Sequence, residues 1–177
     1  MAQAGPAPKV KLICGMISSR ESLFCQAQAL LADRLGPCDI VSEVMDFDFT
    51  HYYDQEMGSP LYRRFVSFAG LRDADVLADA KLATNEMEQS FASAGGPQRP
   101  INLDPGYIEK SKLVLASMKN FSHRICLGRG VFAEVTMFYR HGTWEPLPWT
   151  FPDYASGRYF PFLGQVRASL LGQEESQ

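Results

Sequence analysis

The chain has 177 residues, 46% of them hydrophobic, with 17 Lys and Arg against 20 Asp and Glu, which is enough to bury one substantial core and short for two. A formal charge of −3 and a sequence pI near 5.6 argue against a protein whose main task is coating nucleic acid, since that task goes with a basic excess. No apolar run approaches the roughly 20 residues that span a bilayer and no apolar signal core follows the first lysine, so a soluble cytoplasmic protein is expected.

Residues 1–8 and 172–177 are polar or Pro/Gly-rich and read as disordered tails, leaving a single domain over 9–171. Val10-Lys-Leu-Ile-Cys-Gly15 reads as a first strand, and Ser18-Ser-Arg-Glu21 as a capping box that starts a helix. Leu23, Ala27, Leu30 and Leu31 continue that helix until Gly36-Pro37 stops it. The strand-to-helix turn at Gly15 lacks a dinucleotide or phosphate-loop glycine pattern and reads as an ordinary turn. Asp39 to Phe49 alternates acidic and apolar residues as a second strand. A loop with His51, Tyr52, Tyr53, Asp54 and Glu56 then leads to a third strand, Tyr62 to Phe68.

The spacing of Val76, Ala80, Ala83, Met87 and Phe91 predicts a second helix, with Lys81, Asn85 and Glu88 on a solvated or helix-packing face. A fourth strand is expected over Arg99 to Leu103, ending in the turn Asp104-Pro105-Gly106. Lys112 to Met118 is a run that leans to β by its Leu-Val-Leu core but is compatible with a helix turn, and Ser122 to Leu127 against Val131 to Arg140 is the clearest hairpin. Trp144 to Asp153, with three prolines, reads as an extended aromatic strap, followed by a last helix from Ser156 to Leu171 broken near Pro161. The element order predicts an α+β domain. Its sheet is mixed and mostly antiparallel with helices on one face, a ferredoxin-like split βαβ core extended by the C-terminal hairpin and helix.

Cys14, Cys25, Cys38 and Cys126 form no CxxC pair and no ligand-like spacing with His51, His123 and His141, so they read as reduced thiols. No metal set and no particular cofactor is indicated. Chemistry concentrates between Arg99 and Tyr139. Asn102 and Asp104 alternate with Ile101 and Leu103, and Asp104 reads either as a cap of the turn or of a helix beginning at Pro105, or as a general base or metal carboxylate. Lys119, His123 and Arg124 supply two fixed cations and an imidazole, a set suited to an anionic group. A three-residue hairpin loop at Gly128 to Gly130 sets Cys126 opposite Phe132 and Arg124 opposite Glu134, whereas a two-residue loop sets His123 opposite Glu134. The longer loop is preferred because Gly130 suits its left-handed third position. In that register Ile125, Leu127, Val131, Ala133, Val135 and Met137 share the more apolar face.

The segments Thr50-His-Tyr-Tyr53 with Glu56-Met-Gly58, Thr84-Asn-Glu-Met-Glu88, Asn102-Leu-Asp-Pro-Gly-Tyr107, Leu115-Ala-Ser-Met-Lys119, His123-Arg-Ile125, Ala133-Glu-Val-Thr136 and Pro148-Trp-Thr-Phe-Pro-Asp-Tyr154 resemble a bacterial and archaeal family of uncharacterised proteins, a domain of unknown function of the DUF4416 kind. Members of that family are sometimes labelled GTP-binding, but this chain has neither the phosphate loop nor a guanine-reading Asn-Lys-x-Asp. The resemblance places Tyr52, Tyr53, Glu56, Asn85, Glu88, Asn102, Asp104, Lys119, His123, Arg124 and Glu134 at motif positions.

The leading expectation is a protein that binds, and in one version acts on, an anionic metabolite or nucleotide. Arg99, Lys119 and Arg124 would hold the anion, with Asn102 and Glu56 beside it. His123 with Asp104 or Glu134 would exchange protons, and Tyr52, Tyr53 and Tyr107 would flank the organic part. The alternative is a non-catalytic module that pairs with another protein, or with itself as a homo-oligomer, through the Trp144 to Tyr159 strap. RNA recognition by a sheet face is disfavoured by the acidic balance.

Overall fold

The structure, a computed structural model, describes residues 3, 5, 7–50, 54–92, 97 and 99–175. The order is β1 (Lys9–Ser18), α1 (Ser22–Leu35), β2 (Cys38–Val41), β3 (Met45–Asp46), α2 (Asp54–Met57), β4 (Tyr62–Phe68), β5 (Arg72–Asp73), α3 (Val76–Phe91), β6 (Ile101–Glu109), β7 (Lys112–Ser117), β8 (Ile125–Gly128), β9 (Val131–Arg140), β10 (Thr143–Pro146), α4 (Pro152–Ala155) and α5 (Phe160–Glu174). The strands form one sheet along the path β10-β9-β7-β6-β1-β4-β2, with β3 on β4, β5 on β1 and β8 on β9. Every ladder among the described residues is antiparallel. The stretch β6-β1-β4-β2, with α1 after β1 and α3 before β6, has the split βαβ order expected from the sequence. No helix among the described residues is long and apolar enough to cross a membrane.

Strand β1, flanked by β6 and β4, is buried at every position after Lys9, which is why its sequence reads as a nearly continuous apolar run. Leu12, Cys14 and Met16 point to one face, where they meet Phe24 and Leu31 of α1, Ala80 of α3 and Leu103. Ile13 points to the other, where Phe65, Ile108 and Met137 meet Phe162, Leu163 and Val166 of α5. Helices therefore cover both faces rather than one, because the apolar stripe of α5 needs its own sheet surface. Lys11 of β1 is fully buried and donates to Asp39 Oδ2 at 2.5 Å and to Phe68 O at 2.9 Å.

Several local expectations give way to tertiary demands. Strand β1 runs past Gly15 to Ser18, so there is no turn at Gly15 and no capping box; Ser18 Oγ donates instead to Pro100 O, 2.8 Å away. Gly15 is a mid-strand glycine whose missing Cβ leaves room for Arg63 Nη1 and the Phe65 ring, each 2.9 Å from where that carbon would sit. The expected second strand is two short pieces, β2 and β3. Trp144-Glu-Pro146 is not strap but β10, paired with the end of β9. Pro161 lies in the first turn of α5, where its absent N–H costs no hydrogen bond, and the helix reaches Glu174.

The correction that matters most concerns Asp104-Pro105-Gly106, which is not a turn. Strand β6 passes straight through it, with Asp104 opposite Gly15 and Pro105 opposite Cys14. On its other side β6 meets β7 only from Gly106, paired with Leu115, to Glu109, paired with Lys112. Beyond Leu115, Ala116 and Ser117 stay with β9, opposite Ala133 and Phe132. The sheet therefore parts between the first half of β6 and the last residues of β7. Gly106 sits at the fork, and a Cβ there would lie 2.5 Å from both Val114 O and Leu115 Cδ2. Gly106→Ala is expected to cost about 3 kcal/mol in urea denaturation, the upper range for overfilling a packed site; a loss below about 1 kcal/mol would mean that the fork yields freely.

Candidate functional site

Where the sheet parts, Leu103 has β1 on one side and no strand among the described residues on the other. Its backbone groups on that side are taken by α3: the N–H donates to Glu88 Oε1 at 2.6 Å and the carbonyl accepts from Lys81 Nζ at 2.9 Å. Lys81 and Glu88 are 5% and 8% exposed and bond a strand, which corrects the expectation of a solvated or helix-packing face for them. With Leu77 and Thr84 they form a run of spacing four, three, four, the period of a buried helical stripe.

A chain of polar contacts continues from there. Glu88 Oε2 accepts from Arg99 Nη2 at 3.0 Å, the same nitrogen donates to Asn102 Oδ1, and Asn102 Nδ2 donates to Asp104 Oδ2. Asp104 also lies 3.5 Å from Lys81 Nζ and 3.8 Å from Arg63 Nη1. Arg63 is 3% exposed. Its Nη2 donates to Asp153 Oδ2 at 2.8 Å, a carboxylate that also accepts from the Tyr159 hydroxyl at 3.1 Å. The guanidinium carbon lies 5.1 to 5.6 Å from the ring centres of Phe47, Phe65, Tyr154 and Tyr159, which places the cation over negative ring faces. Burial pushes the Tyr154 phenol well up and the Tyr159 phenol to about 12, so both are protonated donors at neutral pH.

On the far side of the gap stands Glu134, 4% exposed. The ladder sets Ile125 opposite Ala133 and Cys126 opposite Phe132, so Arg124 comes level with Glu134 as preferred from the sequence. The turn itself differs: Gly128, not Leu127, faces Val131, and Gly128, Arg129 and Gly130 all have positive φ. Glu134 does not choose between its two candidate partners. Its Oε2 receives Arg124 Nε at 2.7 Å and meets His123 Nε2 at 2.9 Å. Arg124 Nη1 donates to Ser117 Oγ at 3.0 Å and Lys119 O at 2.8 Å, so most of its fork grips protein rather than facing a ligand. His123 stacks on Trp149, with centroids 5.1 Å apart and planes 8° from parallel. The Trp149 indole N–H donates to Val135 O and the Thr150 hydroxyl to Thr136 O.

The expected apolar face of β9 is corrected as well. A bulge beside Val135 puts Val135 opposite Val114 and Met137 opposite Leu113. Met137 consequently joins the α5 side while Val131 stays on the α3 side, and Ile125 is 74% exposed.

These walls enclose a cavity of about 1000 Å³. Of the residues singled out from the sequence, Glu56, Arg99, Asn102, Asp104, Lys119, Arg124 and Glu134 line it. His123 reaches it only through Glu134, and Tyr107 packs with Leu82 in the cluster around Leu77 and Val114, away from the cavity. Tyr52 and Tyr53 lie outside the described residues. Asn85 and Glu88, which the resemblance places at motif positions, line the cavity too, whereas Arg63, Lys81, Asp153 and Tyr154 were missed as wall residues; the heptad-like stripe would have found Lys81 with Glu88 on α3. Phe47, Phe49 and Phe151 add apolar surface.

The charges on the wall balance, Arg63, Lys81, Arg99, Lys119 and Arg124 against Glu56, Glu88, Asp104, Glu134 and Asp153. The cavity is therefore not a basic bowl, and selectivity must come from individual polar atoms. Three wall residues carry buried polar atoms with no hydrogen-bond partner among the described residues: Arg63 at Nε and Nη1, Tyr154 at its hydroxyl and Glu134 at Oε1.

Fold and site together define an α+β domain with an amphipathic cavity at a fork in an antiparallel sheet. The chain belongs to the family described as Domain of unknown function (DUF4416), which it matches over residues 8–170. It matches no curated protein and no solved structure.

Burial raises the Glu88 carboxyl above its ordinary value, against the opposing pull of Lys81, Arg99 and the Leu103 N–H. A carboxyl raised on folding contributes stability that is fully present below the unfolded value and is lost as pH rises through the folded one. Stability measured by urea denaturation from pH 4 to 7.5 is therefore expected to carry a declining component just above the ordinary glutamate range. Glu88→Gln, which mimics the protonated form, should flatten it; an unchanged slope would assign the decline elsewhere.

Proposed function

We propose that this protein binds an anionic small molecule in the cavity at the sheet fork. The observation that carries the reading is the Arg63 and Tyr154 corner. A buried guanidinium whose Nε and Nη1 have no hydrogen-bond partner among the described residues, Nη1 lying 3.8 Å from Asp104 Oδ2, and a buried phenol equally without one stand on one wall. Leaving buried donors unmade costs roughly 1–3 kcal/mol each, and a carboxylate or phosphate oxygen reaching both would recover that cost. The volume of about 1000 Å³ suits a molecule of nucleotide size, at the upper end of ordinary ligand sites. Arg99 and Lys119 add charge elsewhere on the lining, and Phe47, Phe49 and Phe151 offer flat surface to an organic body. His123 and Arg124 enter as the residues that fix Glu134.

The competing reading, docking of a partner through the aromatic strap, finds less support. Trp144 is 4% exposed, and Trp149 is held by His123 and the Val135 carbonyl.

A thermal-shift panel of nucleotides and phosphorylated metabolites tests the proposal. A ligand at one hundred times its Kd adds about 2.7 kcal/mol, a rise of about 5–10 °C for a domain of this size. Tyr154→Phe removes only the hydroxyl and keeps the ring. It is expected to leave the unliganded melting temperature within about 2 °C while weakening the ligand about tenfold, the loss of roughly one hydrogen bond to a charged group. A panel with no response, or a Tyr154→Phe protein that binds as tightly as the parent, would overturn the assignment.

A further inference from the structure

Resting on that reading, we infer that the ligand is amphoteric: besides its anionic group it carries an N–H donor, an amine or amino-heterocycle, that is received by Glu134 Oε1. Glu134 is a wall residue whose side chain is 2% exposed. Both of its cationic neighbours meet the same oxygen, Arg124 Nε at 2.7 Å and His123 Nε2 at 2.9 Å on Oε2. The second oxygen, Oε1, has no hydrogen-bond partner among the described residues. A carboxylate oxygen offers two acceptor sites, and stripping it of water without a donor is unfavourable. Its neighbours are themselves fixed. Arg124 is tied to Ser117 Oγ and Lys119 O, and His123 is stacked under Trp149. Neither is placed to swing across to Oε1, so the complement has to come from the cavity.

The position of this acceptor sets the shape of the ligand. Arg63 is on β4 and Glu134 on β9, with β1, β6 and β7 between them in the sheet. Four ladder steps at the usual spacing separate β4 from β9 by about 19 Å, Arg63 is displaced further along β4 from Ser67, the residue in register with Glu134, and the side chains shorten that span from both ends. The anion and the N–H donor therefore belong at opposite ends of an elongated molecule, not on adjacent carbons as in a simple amino acid.

Matched probes that differ only in the donor test this on the full chain: adenosine monophosphate against purine riboside monophosphate, and 6-aminohexyl phosphate against hexyl phosphate. Affinities come from titration calorimetry. The amino member of each pair is expected to bind at least tenfold tighter, and Glu134→Gln to reduce that preference below threefold while both members still bind. Asp104→Asn, which alters the more exposed wall carboxylate, should leave the preference in place. If Glu134→Gln does not fold, the comparison of matched probes on the parent protein still decides. Equal binding within each pair overturns this inference and leaves the anion site standing, as does a preference that survives Glu134→Gln or disappears in Asp104→Asn. No binding by any of the four overturns both.

Discussion

The structure depends on how one residue in β6 satisfies its backbone. Leu103 faces a gap where a neighbouring strand would normally stand, and a buried peptide group without a partner is costly. Glu88 accepts its N–H and Lys81 caps its carbonyl, so two helix side chains do the work of a missing ladder. A polar chain then grows outward from the same pair through Arg99 and Asn102 to Asp104. The opening in the sheet is thereby held as fixed structure, and the cavity walls inherit their rigidity from it.

A second polar anchor closes the cavity from above. Arg63 and Asp153 are 90 residues apart in sequence and both buried, so their pairing ties α4 to the start of β4. Gly15 on β1 makes the space for this guanidinium, and four aromatic rings surround it. Removing one partner of such a buried pair would leave an uncompensated charge, so the anchor favours a single arrangement of the lining around Phe151 and Tyr154. On the opposite wall the bulge in β9 leaves the Val135 and Thr136 carbonyls for the strap's Trp149 and Thr150.

Elements whose pattern reflects a single local rule were legible in the sequence. Strand β4, helix α3 and strands β7 and β9 lie where alternation and helical period put them, and the split βαβ order follows from their succession. Legibility failed where tertiary structure overruled local preference. Asp-Pro-Gly is a common turn, yet here Pro105 and Gly106 are drawn through a central strand because the fork needs a residue without a side chain at its apex. Lys81 and Glu88 look like an exposed helical pair until they are counted in register with Leu77 and Thr84. The Arg124 and Glu134 alignment was readable from loop length, but one added residue near Val135 moves Met137 to the other face. No count of alternating residues detects such a bulge. Much of the candidate wall was visible as residue types; the gap that gathers them was not.

The same sheet manages its borders in an economical way. Strand β9 is bordered not by one long neighbour but by β8 against its beginning and β10 against its end, four residues each. Strand β4 is bordered likewise by β2 and the two-residue β3. An incoming chain seeking to add itself by strand pairing would find only short, interrupted runs of backbone at either margin, a recognised guard against edge-to-edge aggregation. Ile125 and Leu127 can therefore lie open on β8 without the sheet becoming a template for its own extension.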